Sequence, residues 1–209
     1  MPSTLVHVAV GGLVGTALLG AAFDRRALAL VLVAAAIPDL DTFVGLVLPG
    51  AHRSLLHTLL LPALMTVFLA ADLRRSRSRV RRRLGADGGR VAWAALAALA
   101  FGGVFPDLFT NGVNAFYPLH DAFYTIDGKL LLSNQRGVVQ TLVDLSPPEP
   151  APTTETLHYS TGVDPSPGSE PANVERVFPV FRNGVEFMLV VVSAVVVGAR
   201  LVETADREP

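Results

Sequence analysis

The chain contains no cysteine. That excludes disulfides, thiolate metal centres and cysteine nucleophiles together, and it leaves the redox compartment open. Any metal in this protein would have to rest on histidine and carboxylate. Charge is nearly as scarce, at 17% of 209 residues, where ordinary soluble domains carry about 25%. Lysine occurs once, at Lys129, so the positive charge is almost all arginine. A net charge of −1 gives no electrostatic basis for nucleic-acid binding. What fills the space is apolar: 51% of residues are hydrophobic, with a mean hydropathy of +0.46. They clump into long runs, which excludes a soluble monomer more strongly than any other class.

Leu5–Phe23 is 19 residues without a charge, about 28 Å as a helix and enough to cross the hydrocarbon core. A signal peptide would carry its positive residues before the apolar run, whereas Asp24-Arg25-Arg26 follows it. The segment therefore reads as a retained first span. Ala27–Ile37 is too short to span alone, about 16 Å as a helix. Pro38-Asp39-Leu40-Asp41 then interrupts, and Phe43–Leu48 is apolar again. Either the helix continues past Pro38 with its aspartates inside the bundle, or it breaks there and re-enters. Leu55–Leu73 is the third apolar run, Val91–Val104 the fourth and Gly184–Val202 the fifth.

These runs predict an all-α polytopic membrane protein with about five membrane-embedded helical segments. Residues 1–119 form the helical membrane domain. Residues 120–182 are a polar insertion, with a short β-hairpin expected to turn at Asp127-Gly128 between Phe123–Ile126 and Lys129–Leu132. Residues 183–209 supply the final helix and a tail. Seven arginines lie between Arg74 and Arg83, a topology determinant that also suits contact with membrane lipids. Placing that cluster and Arg25-Arg26 in the cytoplasm gives an outside N-terminus and a multi-pass protein of the cell membrane. The 111–182 region, with eight acids against four bases, then lies on the extracytoplasmic face.

That topology gathers chemistry it was not built to gather. His7, Asp39, Asp41, His52, His57 and Asp107 all fall at outer ends of spans, and His120 and His158 in the outer region. Ionisable residues within membrane segments are costly unless paired or liganding. Histidine and aspartate in one pocket are what a divalent cation needs, and such an ion activates water for hydrolysis. Each piece also has a plainer reading. Pro-Asp-x-Asp and Asp107 suit helix caps, and a lone histidine such as His7 suits packing. His52 and His57 are five apart, not the i,i+4 pair of a helical ligand set. They act together only if His52 precedes its helix.

Taken in order, Thr4-Leu5-Val6-His7, Ile37-Pro38-Asp39-Leu40-Asp41, His52-Arg53-Ser54-Leu55-Leu56-His57-Thr58, Asp107-Leu108-Phe109-Thr110-Asn111-Gly112 and Tyr117-Pro118 resemble the YdjM-like family. Its members are described as LexA-binding, inner membrane-associated, metal-dependent hydrolases. The resemblance covers residues 1–119. It implies a distant likeness to the all-helical zinc-dependent phospholipase C and nuclease group, with a His/Asp metal site and hydrolysis of phosphate esters. The family usually carries His-x-x-x-Asp on its fourth helix, and here the position four before Asp107 is Gly103. Either His120 replaces that ligand, or the site holds one metal fewer, or activity is lost.

The expectation is a membrane-bound, metal-dependent hydrolase acting on a phosphate ester or phospholipid. His7, Asp39, His52, His57 and Asp107 are the expected metal ligands, for zinc, with manganese or magnesium as alternatives. Asp41 is expected to support or bridge them, and Arg53 to bind an anionic substrate oxygen or anchor headgroups. The competing readings are a catalytically inactive membrane interaction or scaffold protein that keeps a structural metal site, and a transporter built around the broken second helix.

Overall fold

The structure is a computed structural model that describes residues 3–110, 112–126, 128–141, 151–157 and 177–206. It is mostly helical. Helix α1 spans Thr4–Leu19 and runs on as one 3-10 turn to Ala22. Asp24 caps α2 (Arg25–Ala36), its carboxylate accepting the N–H groups of Arg26 and Ala27 at 2.7 Å each. Pro38 has no N–H to continue that ladder, so the chain passes through a 3-10 turn, Pro38–Leu40, into the short α3, Asp41–Gly45. The bend across this break is 47°. Turns follow to α4 (Leu60–Leu73) and the short α5 (Arg79–Leu84). Helix α6 (Gly88–Ala97) widens into a π-helical segment, Ala98–Val104, and closes as α7, Phe105–Leu108. A two-stranded antiparallel hairpin, β1 (Leu130–Ser133) on β2 (Gly137–Gln140), and α8 (Gly184–Ala205) complete the described elements.

The core lies where α1, α2 and the α6–π segment meet, around fully buried Leu19, Val31, Ala35, Ala94 and Ala98. Helix α8 runs parallel to α1. Ser3 donates to the Val180 carbonyl, Ser193 to Ala9 and Arg200 to Gly20, three contacts in the same order along both segments. The bundle therefore has two chemically distinct ends. The start of α1, the end of α2 and the end of α7 share one. The start of α2, α5, Arg90 and Arg200 share the other, where the arginines gather.

Among the described residues, three helical stretches are long and apolar enough to cross a membrane, Thr4–Ala22, Gly88–Leu108 and Gly184–Ala205, with the bent pair Arg25–Ala36 and Pro38–Gly45 as a fourth if it counts as one span. The expected count of five is not confirmed among the described residues. The run read as Leu55–Leu73 becomes helical only at Leu60 and has 14 residues, about 21 Å, because residues 51–58 are turns. The hairpin exists, yet not at the expected register: Leu130 pairs with Gln140 and Ser133 with Gly137. Phe123–Ile126 is unavailable as its partner because it pairs elsewhere. Tyr124 bridges Val113, and the Ile126 N–H donates to the Leu108 carbonyl at 2.7 Å. Asp127, His158 and most of residues 142–176 lie outside the described residues.

Candidate metal centre

Helix α1 presents Thr4 and His7 on one face, three residues apart. Its approach to the π segment is set by two glycines: a Cβ on Gly102 would stand 2.9 Å from the Gly11 backbone. Pro106 lacks the N–H that an α-helix would offer to the Gly102 carbonyl. That carbonyl instead lies 2.8 Å from His7 Nδ1, which fixes the ring with Nε2 facing inward. Asp39 comes from the turn that Pro38 forces. His57 comes from the turns before α4, and Asp107 from the last turn of the α6–α7 stretch.

One atom from each of these four residues, His7 Nε2, Asp39 Oδ1, His57 Nε2 and Asp107 Oδ2, lies within 4.8 Å of every other. The same four atoms are buried and have no hydrogen-bond partner outside the group. Orphaned buried polar atoms are rare and expensive, and four pointing at one another are a cradle for a cation. His7 Nε2 is 3.5 Å from Asp39 and 3.8 Å from Asp107, and His57 Nε2 is 3.7 Å and 2.8 Å from the same two carboxylates. A tetrahedral ion with ligand bonds of about 2.0–2.1 Å sets its ligand atoms ~3.3 Å apart. The donor set, two imidazoles and two carboxylates, fits zinc or manganese.

Every one of the four is also held from behind, as metal ligands are. The Gly102 carbonyl orients His7. The Thr4 hydroxyl donates to Asp39 Oδ2. Asp41 Oδ2 lies 2.8 Å from His57 Nδ1, and Arg53 donates to Asp107 Oδ1 at 2.6 Å. Asp41 therefore supports the group without entering it. Its Oδ2 also accepts the backbone N–H of Arg53 at 3.0 Å, and its Oδ1 lies 3.0 Å from His52 Nδ1.

His52, expected among the ligands, stands outside the four: its Nδ1 faces Asp41 and the Thr42 hydroxyl. Five residues separate it from His57, and the turns between them let both rings reach the same carboxylate from different sides. Arg53, expected at a substrate or a headgroup, is fully buried. It adopts a left-handed φ of 61°, which is unusual for a residue with a side chain. Its backbone N–H is given to Asp41, its carbonyl accepts from Asn114, and its guanidinium reaches both Asp107 and the Gly112 carbonyl. His120 is exposed and lies outside the group. Nor can Gly103 stand for a ligand position, since a Cβ there would lie 2.7 Å from both the Ala35 carbonyl and Pro38. Thr4 and the Gly102 carbonyl were not singled out from the sequence. The three-residue spacing of Thr4 and His7 was a signal for the first, whereas a backbone carbonyl gives none.

His57 lies outside the spanning stretches. Burial disfavours its charged form, but the Asp41 and Asp107 carboxylates outweigh that and raise its pKa to about 10. At the same end, Asp121 is pushed up by burial and, more strongly, held below the usual carboxylate range by the Thr154 hydroxyl and N–H and the Asn114 amide. These bonds tie residues 151–157 to the segment beside Arg53.

A family model described as YdjM inner membrane protein matches residues 1–203. The match runs past residue 119 through the polar region and α8. No curated protein and no solved structure matches the chain.

Proposed function

The chain belongs to the YdjM inner membrane protein family, and on that footing we propose that it is a membrane-embedded, metal-dependent hydrolase of a phosphate ester, with a lipid phosphate as the natural class. The observation that carries this reading is the set of four buried atoms that face one another with no partner outside the group, each on a side chain held from behind. A divalent ion bound there, zinc first and manganese or magnesium next, supplies Lewis acidity and brings the pKa of water near neutrality. The chain's own residues do the rest. Asp41 holds His57 in the tautomer that turns Nε2 inward, and Arg53 holds Asp107 by one oxygen so that the other stays directed at the group. Asp39 is the one partly exposed member of the four, so access from outside runs past its carboxylate and Thr4. The membrane-embedded segments number five in this reading, α4 being the shallow one, and the metal end faces the extracytoplasmic side, opposite the arginines.

The test uses the full chain purified in detergent. Stoichiometric divalent metal, lost in His57→Ala and Asp107→Ala, is expected together with metal-dependent hydrolysis of p-nitrophenyl phosphate, bis-p-nitrophenyl phosphate or phospholipid vesicles. Absence of metal in the wild type, or hydrolysis unchanged by His57→Ala, overturns the reading.

A second reading has its own support. Catalytic zinc sites keep a position open, whereas structural sites use four protein ligands. Here four ligand atoms converge, three of their residues fully buried, and Gly103 offers no further group. A non-catalytic scaffold with a structural metal predicts metal-replete protein that hydrolyses none of these esters and loses its fold on chelation.

A further inference from the structure

Two adjoining cavities lie between α2, α4, α5 and α6 and run from Ile37, beside the break at Pro38, to the arginine end of the bundle. One, of about 530 Å³, is walled by apolar side chains, among them Leu30, Ile37, Met65, Phe68 and Leu99, and has Asp72 and Arg79 among its few polar residues. The second, of about 640 Å³, shares Leu30, Leu84 and Val91 with the first and adds Asp24, Arg26 and Arg83. Together they make a trough, greasy along its length and cationic at one end.

We propose that this trough binds one anionic phospholipid, with an acyl chain in the apolar cavity and the phosphate between Arg26 and Arg83. The carboxylates nearby are already engaged. Asp24 accepts two N–H groups at the start of α2, and Asp72 accepts the Ser78 hydroxyl at 2.7 Å and the N–H groups of Arg79 and Val80. No carboxylate among the described residues forms an ion pair with Arg26 or Arg83, so both guanidiniums are open to an anion, and with the one carboxylate of Asp24 the second cavity keeps a net positive charge. The cationic rim is also fixed in place. Capped by Ser78 and anchored by Asp72, α5 sits so close to α6 that a Cβ on Gly88 would meet Leu84 at 2.8 Å. Lipid tails gain little from leaving one apolar surroundings for another, so selection falls to the headgroup charge and the tail fixes its position. The cationic end of the trough lies at the end of the bundle opposite the His/Asp group, and the proposal does not depend on hydrolysis.

Binding is read by lipid-dependent thermal shift and native mass spectrometry of the full chain in a neutral detergent. The probes are phosphatidylglycerol, phosphatidylcholine and glycerol 1-phosphate. Phosphatidylglycerol is expected to bind roughly twenty- to thirtyfold more tightly than phosphatidylcholine, the sum of two arginine contacts. The double variant Arg26→Gln/Arg83→Gln should lose that preference. Arg74→Gln/Arg75→Gln removes the same charge outside the trough and should keep it. Ala92→Phe, which fills the apolar cavity, should weaken both lipids. Equal binding of the two lipids by the wild type overturns the proposal. So does an equal loss in the Arg74/Arg75 variant, which would mean a diffuse basic surface. Glycerol 1-phosphate binding as tightly as phosphatidylglycerol also overturns it, since the tail would then have no part.

Discussion

Asp107 meets two requirements with its two oxygens. Oδ1 accepts from the buried Arg53 guanidinium at 2.6 Å, while Oδ2 has no partner outside the group and faces the other three candidate ligands. His57 divides its nitrogens in the same way, Nδ1 on Asp41 and Nε2 inward. His52 is held by Asp41 and packs edge-on against the His57 ring without entering the group. This hierarchy predicts a ranking. His57→Ala should abolish stoichiometric metal. Asp41→Asn should weaken affinity by about 10–100-fold, the usual effect of losing the partner that orients a histidine ligand. His52→Ala should weaken it less than Asp41→Asn, and competition against a chromophoric chelator measures all three. The ranking fails if His52→Ala equals His57→Ala. The charge state of His57 adds a second expectation. With a pKa near 10 in the metal-free protein, the imidazole is protonated at neutral pH, so an incoming ion must displace that proton. Affinity should therefore rise about tenfold per pH unit above neutrality and level off toward pH 10. One proton should be released per ion at pH 7.5, read with an indicator dye in weak buffer. These residue types were legible in the sequence because ionisable groups in apolar runs are costly unless paired or liganding, and it was their number, more than any one of them, that spoke against caps and packing. The difference between His52 and His57 was not, since it depends on turns whose path no periodicity reveals.

At the scale of elements, the centre exists because two helices are broken where they meet it. Pro38 stops α2 and turns Asp39 and Asp41 inward. The π segment and Pro106 free the Gly102 carbonyl to orient His7. Both prolines stand in the sequence as plain interruptions of apolar runs, which is why the break at 38–41 could be anticipated. The π segment could not, since Ala98–Val104 is as apolar as an α-helix would be and a shift from i→i+4 to i→i+5 bonding leaves no compositional mark. Gly103 belongs to the same geometry. Its lack of a side chain lets Pro38 and the Ala35 carbonyl close over the π segment, so the departure from the family pattern is filled by backbone packing. Restoring the family residue with Gly103→His should therefore lower thermal stability without raising the metal count. Gly102→Ala, which drives a methyl into the Gly11 backbone at 2.9 Å, should cost about 1–3 kcal/mol and loosen metal through His7. Thermal unfolding followed in parallel with metal content checks both. A Gly103→His protein with unchanged stability and an extra ion would contradict this account.

Across the whole molecule, charge is sorted by end. The four candidate ligands and their supports occupy one end of the bundle. The 74–83 arginines, Arg25, Arg26, Arg90 and Arg200 occupy the other. Short arginine-rich segments are retained in the cytoplasm during insertion, so the sorting predicts that the metal end faces away from it. The order of the elements constrains the outcome further. Because α8 lies parallel to α1, the start of α1 and the start of α8 must share a side. The hairpin, which joins the end of α7 to α8 through the polar region, must share it too. The cysteine-free sequence makes this measurable without background. Single variants Ser76→Cys in the arginine segment and Gln135→Cys at the hairpin turn, both at exposed positions, can be challenged in intact cells with a membrane-impermeant maleimide. Gln135→Cys should label in intact cells and Ser76→Cys only after permeabilisation. Labelling of both from the same side would mean that an odd number of crossings does not separate them. That would dissolve the two-ended arrangement rather than merely invert it. The reverse pattern would keep the bundle and its two ends, and would place the metal end in the cytoplasm, where a lipid phosphate of the inner leaflet becomes the ester within reach of Asp39.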